Sequence, residues 1–236
     1  MSLLQRTNNL ASFLSWPGLR ATFGLLSSDA RHKWIQTVNA PRLSMAPLSM
    51  VYPWFSFPSI EYLAKLVSPD MSVLEFGCGY STIWWAQRVS RVTSIERSSH
   101  WIVEVRQALS KHTMTNVDLI PFLEFVGTTE EEIQARAAPL QLASIIQRYV
   151  SAGREKSELY DVIVIDDVFR NEAAAAAIAQ LKPGGVMVLD DSERPRYGQA
   201  CELFKQMGWS SASFYGAVPY HFHEKQTTIY HKPILV

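Results

Sequence analysis

Acidic residues stand in or at the end of four apolar runs: Glu75 in "VLEFGCG", Glu96 after "VTSI", Asp166-Asp167 after "YDVIVI" and Asp190-Asp191 after "VMVL". Directly after Glu75 comes a Gly-x-Gly turn, Gly77 and Gly79, and then Ser81 and Thr82, which can open a helix. A buried strand, a glycine turn and a helix N-terminus in that order form a loop whose amides favour an anionic or polar ligand. Glu96 lies 19 residues beyond Gly77, and a carboxylate there can accept both hydroxyls of a ribose diol. Asp166, Asp190 and Asp191 would be costly to bring together unless a cation or a shared proton neutralised them, and hard oxygen ligands suit Mg²⁺ or Ca²⁺. His221 and His223, in "PYHFHEKQ", add imidazoles suited to substrate contact or base chemistry.

These groups must be carried by regular elements, and the chain supplies them in alternation. Helices are expected over residues 59–67, 81–89, 99–111, 172–181 and 199–208, with an acidic helix start at Thr129 in the longer connection 121–158. Strands are expected over residues 73–76, 92–95, 117–120, 160–165 and 186–189, with Lys182-Pro183-Gly184-Gly185 read as a turn. Continuous apolar strands between helices argue for a doubly wound α/β fold with a mostly parallel sheet covered on both faces. Residues 211–215 and 227–231 read as two strands with no helix between them, which requires an antiparallel hairpin. Residues 1–58 form an expected N-terminal helical arm with an aromatic strap (Tyr52, Trp54, Phe55, Phe57), and residues 59–236 the ligand-binding domain. Trp84 and Trp85 are expected in the core.

Composition excludes several classes. The 236 residues are 47% hydrophobic, enough for one sizeable core, and 22 Lys and Arg balance 22 Asp and Glu. With no net positive field and no basic run, a nucleic-acid partner is not expected. No apolar stretch reaches the roughly 18 residues of a membrane span. Two cysteines, Cys78 and Cys201, give neither a disulfide framework nor zinc spacing, which fits a cytoplasmic protein. The first 33 residues are basic and rich in serine and leucine, a composition shared by an N-terminal helical arm and by organellar import segments. Nothing in the sequence sets an oligomeric state.

Taken together, "VLEFGCG", "VTSIE", "YDVIVID" and "LKPGGVMVLDD" in this order resemble the class I S-adenosylmethionine-dependent methyltransferases over about residues 52–232. "EFGCGYSTIWWA", "VTSIERSSHW", residues 166–170 and "FYGAVPYHFHEKQTTIY" resemble one branch within that superfamily. The resemblance implies a Rossmann-like seven-stranded sheet of order 3-2-1-4-5-7-6. It implies S-adenosylmethionine as cofactor, held by Glu75 (methionine amino group), Gly77, Gly79, Ser81, Thr82, Glu96 (ribose), Phe122 near the adenine, and Asp166. It further implies Asp166 facing the reacting centre, but it fixes no substrate. From the residues themselves, Asp166 or His221 is the candidate base, Tyr52, Trp54 and Arg170 are the candidate acceptor contacts, and the acceptor is expected to be a small molecule or sugar methylated on oxygen or nitrogen. The chain is also similar to the metal-dependent catechol and caffeoyl-CoA O-methyltransferases, which implies Mg²⁺ at Asp166, Asp190 and Asp191. Two departures count against metal dependence and a lysine base: Phe169 stands where catechol methyltransferases have lysine, and Asp191 where they have asparagine. The rival expectations are an NAD-dependent oxidoreductase, whose Gly-x-Gly-x-x-Gly fingerprint is broken here by Thr82, and a non-catalytic cofactor-binding protein of the same fold.

Overall fold

A computed structural model describes residues 28–38, 40–153 and 159–234. Most of the basic N-terminal stretch read as an arm or import segment lies outside the described residues. The elements are α1 (Ser28–Val38), α2 (Phe57–Leu66), β1 (Ser72–Phe76), α3 (Tyr80–Ala86), β2 (Arg91–Glu96), α4 (Ser99–Lys111) and β3 (Val117–Pro121). They continue with α5 (Glu130–Arg136), α6 (Pro139–Ser151), β4 (Tyr160–Ile165), α7 (Arg170–Ala177), β5 (Leu181–Asp190), α8 (Gly198–Gln206), β6 (Ser210–Ala217) and β7 (Glu224–His231). The seven strands form one sheet of order β3-β2-β1-β4-β5-β7-β6, as the resemblance implies. Strands β1 to β5 pair in parallel, and β7 is antiparallel to both β5 and β6.

Successive strand side chains point to opposite faces, and the sequence uses this to build two cores. Val73, Val92, Val162, Val164, Val186 and Val188 face α2, α3 and α4, where Ile83, Trp84 and Trp85 are buried. Leu74, Phe76, Ile95, Ile163, Ile165, Met187 and Leu189 face α6, α7 and α8. Each such side chain, fully removed from water, contributes about 1.5–3 kcal/mol, so the sheet is fixed from both sides.

One local expectation is corrected. Lys182 to Gly185 is no turn: it is the bulged start of β5, where Gly184 takes φ +77° and its N–H donates to Lys232 O at 3.1 Å. The connection after β3 holds two helices, broken at Ala137-Ala138-Pro139 because proline supplies no N–H for a continuing helix. The aromatic strap packs on the domain. Phe55 and Phe57 are buried in the main core, and Ser56 Oγ donates to Phe214 O at 2.9 Å. Trp34 of α1 donates from Nε1 to Val218 O at 3.1 Å, tying the N-terminal segment to the β6–β7 loop. Among the described residues no helix is long and apolar enough to cross a membrane.

Candidate active site

The register levels the C-terminal ends of the parallel strands: Phe76 pairs with Ile95 and Ile165, and Ile165 with Leu189. Gly77 N–H donates to Ile95 O (2.9 Å), and Asp166 N–H to Phe76 O (3.0 Å). The strand-end acids therefore meet at one edge, around a cavity of about 800 Å³. Its walls include Gly77, Gly79 and Ser81, Glu96, residues 127–131, Asp166, Arg170, Asp191, His221 and Lys225.

Gly77 is glycine for two reasons. Its φ of +96° is unfavourable for other residues, and a Cβ there would lie 2.6 Å from Asp166 O. The first glycine thus lets the β1 and β4 ends approach each other. At Gly79 an added Cβ would meet only the Trp101 ring at 3.8 Å, so that position borders open space.

Glu96 is 4% exposed. It accepts the Cys78 N–H (2.6 Å) and the Ser98 N–H (2.5 Å), so one carboxylate fixes both the glycine loop and the start of α4. Burial, and then the neighbouring Asp167 charge, push its pKa up to about 7 against the pull of those N–H groups. Glu75 lies one layer deeper, fully buried and set back from the cavity. Its Oε2 accepts Thr82 Oγ1 (2.6 Å) and Ser94 Oγ (2.7 Å), while Oε1 has no partner. Thr82 Oγ1 in turn accepts the Gly79 N–H at 3.0 Å, so the Glu75–Thr82 pair holds the loop from beneath.

Burial pushes Glu75 up to about 7 from 4.5. A carboxyl raised in the folded state contributes stability that is fully present below about 4.5 and lost as pH rises through about 7, a difference of ~3 kcal/mol. Glu96 acts in the same sense, whereas the lowered Asp161 and Asp191 act only in more acidic solution. The lowered His221 and His223 oppose this below about 6.5, so the melting temperature is expected to rise as pH falls from about 8 to about 6.5, and less steeply in Glu75→Gln. Parallel slopes in a pH series of thermal melts would show that Glu75 does not titrate there.

At the other end of the edge, Asp190 and Asp191 converge although they are adjacent. Extended neighbours would point apart; Asp191 instead takes φ +52°, in the left-handed region, and turns back. Arg170 forms ion pairs with Asp166 Oδ1 (2.9 Å) and Asp191 Oδ2 (3.2 Å), donates to Asp167 O (2.8 Å) and Asp190 O, and lies over the Tyr197 ring. Lys225 Nζ donates to Asp190 Oδ2, and Arg194 reaches Asp191 Oδ1 at 3.2 Å. Lys225 Nζ is also 3.6 Å from Asp191 Oδ1. Asp166 is raised well above the carboxylate range by burial and by Asp190, although its side chain is 23% exposed, which tempers the push. The three expected metal ligands do come together, with an oxygen of each within 4.8 Å of the others, but side-chain cations already stand among them.

The remaining expected residues divide. Trp54 faces the cavity, its ring 4.8 Å from His221, 5.4 Å from Trp101 and stacked on Tyr80 at 6.1 Å. Tyr52 is set back from the cavity, beside Phe57, with its N–H on the Tyr220 hydroxyl. Phe122 also turns away, into a cluster with Phe125 and Tyr149, because the β3 end needs apolar cover. Its expected wall is formed by residues 127–131, which Arg97 anchors through Gly127 O (3.1 Å), Thr128 O (2.8 Å) and Asp167 (2.8 Å). Burial, then His223 and Lys225, lower His221 to about 4, so its ring is neutral near neutral pH. Arg170 lines the cavity, but its Nε and Nη1 donate to the backbone of Asp167 and Asp190, and its Nη2 is paired with Asp166 and Asp191. Arg97, Trp101 and Lys225 also line the cavity, and the only sequence signal for them is that they lie in "VTSIERSSHW" and "FYGAVPYHFHEKQTTIY".

The model of the family described as protein-L-isoaspartate (D-aspartate) O-methyltransferase (PCMT) matches residues 49–214. The chain belongs to the PCMT family. It is an S-adenosylmethionine-dependent methyltransferase. Among solved structures it resembles an S-adenosylmethionine-dependent O-methyltransferase from Thermotoga maritima, at 13% identity and TM-score 0.53, covering 83% of this chain and 73% of that one. It also resembles precorrin-6y C5,15-methyltransferase from Geobacter metallireducens GS-15 (16%, TM-score 0.50, 74% and 86%). A third is a methyltransferase from Streptococcus mutans described as putative and solved with S-adenosylhomocysteine (12%, TM-score 0.47, 74% and 96%). No curated protein matches the sequence. The cavity fits the cofactor of the PCMT family: a side-chain-free loop at Gly77 and Gly79, a hydroxyl at Ser81, and a carboxylate at Glu96 for a diol.

Proposed function

We propose that the protein methylates an oxygen or nitrogen of a small-molecule or sugar-type acceptor, with Asp166 orienting or deprotonating the attacking group. One observation carries this: Asp166 ends β4 in the same cavity as the glycine loop and Glu96, beside the aromatic wall of Trp54 and His221. S-adenosylmethionine supplies a methyl group on a sulfonium, already activated for displacement. The protein's own task is therefore alignment and exclusion of water. Gly77, Gly79, Ser81 and Glu96 would hold the cofactor, and Trp54 with Trp101 and Tyr80 would give the acceptor a flat, dry face. Burial and Asp190 raise Asp166, which makes its ionised form a stronger proton acceptor than an ordinary aspartate, and neutral His221 is the alternative base. A cavity of about 800 Å³ and zero net charge support a small acceptor over nucleic acid.

A second reading has one observation in its favour. Arg194 and Arg196, 45% and 40% exposed, join Lys225 along the cavity and would suit an acceptor carboxylate, the group that the PCMT family description suggests. A screen of hydroxylated aromatics, sugars, amines and an isoaspartyl peptide, with and without Mg²⁺, separates the two through release of S-adenosylhomocysteine. With the acceptor found, Asp166→Asn is expected to lower kcat by ~10²–10⁴-fold while leaving S-adenosylhomocysteine affinity nearly unchanged. Full turnover in the variant would remove Asp166 from the chemistry.

A further inference from the structure

Three carboxylates with oxygens within 4.8 Å of one another are what a divalent cation would need. Here the neutralising charge comes from the chain. Lys225, at the start of β7, is 7% exposed; it donates to Asp190 and lies 3.6 Å from Asp191. Asp190 is fully buried and takes its second contact from Thr227 Oγ1 at 2.7 Å. Arg170 bridges Asp191 to Asp166, and Arg194 closes the outer side. The three acids thus face three cationic side chains, two of them buried, and a divalent ion added there would stand beside Lys225 and Arg170 in a site shielded from water, which is costly.

We propose that Lys225 does the work of a resident divalent cation. It is a positioning residue: its ammonium holds Asp190 and Asp191 together and, through the shared Arg170, fixes Asp166 at the cavity wall. The site then functions without metal. This goes beyond the acceptor proposal and is independent of it, since failure of an acceptor screen would leave a metal titration unaffected.

The test is Mn²⁺ binding, followed by electron paramagnetic resonance and calorimetry on the full chain. Wild type and Lys225→Arg, which keep the cation, are expected to show no saturable site. Lys225→Met uncovers the carboxylates and is expected to bind one Mn²⁺ at least ~30-fold more tightly than wild type, with a metal-dependent rise in melting temperature. Lys225→Met combined with Asp190→Asn should lose that site again. If Lys225→Met does not fold alone, Mn²⁺ added on refolding is expected to restore it. Saturable Mn²⁺ binding by wild type, or a Lys225→Met protein that neither binds nor is rescued, would overturn the proposal.

Discussion

Arg170→Met is expected to lower stability by ~3–5 kcal/mol, the loss typical of breaking a buried charge pair by removing one partner. The guanidinium is 8% exposed and joins β4 to β5 through Asp166, Asp191 and the backbone of Asp167 and Asp190. Its removal leaves Asp166 and Asp191 facing each other, with Lys225 and Arg194 as the remaining cations. Methionine keeps much of the volume over Tyr197, so the loss reports charge and hydrogen bonding rather than a cavity. Denaturant unfolding measures it. A loss below ~1 kcal/mol would mean the cluster relaxes freely and Arg170 is available to a ligand.

Glu96→Ala has the second large effect, on binding. The carboxylate accepts two backbone N–H groups, one from the glycine loop and one from the start of α4. Hydrogen bonds to a charged group are worth ~1.5–3 kcal/mol each, and loss of the wall carboxylate adds to loss of loop order. S-adenosylhomocysteine affinity is expected to fall ~100-fold or more by calorimetry. Glu96→Gln, which keeps one acceptor oxygen, should fall between. Unchanged affinity in Glu96→Ala would place the ribose elsewhere.

Much of this geometry is legible in the sequence because parallel strands buried on both faces leave long apolar runs. Their ends then announce themselves as acids or glycines, as at Glu96 and Asp166. The 99–111 helix and the strand order follow from that alternation and the family resemblance. What the sequence hides is register and loop direction. Lys225 sits in a strand that starts at Glu224, three residues before the expected start, so its reach to Asp190 was invisible. Phe122 has the right type for stacking, but its direction is set by contacts with Phe125 and Tyr149 that depend on how the connection after β3 folds back. The turn of Asp191 depends on a backbone angle that its type permits without requiring.

Calorimetric titration of the wild-type protein with S-adenosylhomocysteine, and separately with NAD, tests the central claim most directly. Saturable one-site binding of S-adenosylhomocysteine with no measurable NAD binding is the predicted result. Binding of NAD, or of neither, would contradict the assignment of the glycine-loop cavity to methyl transfer.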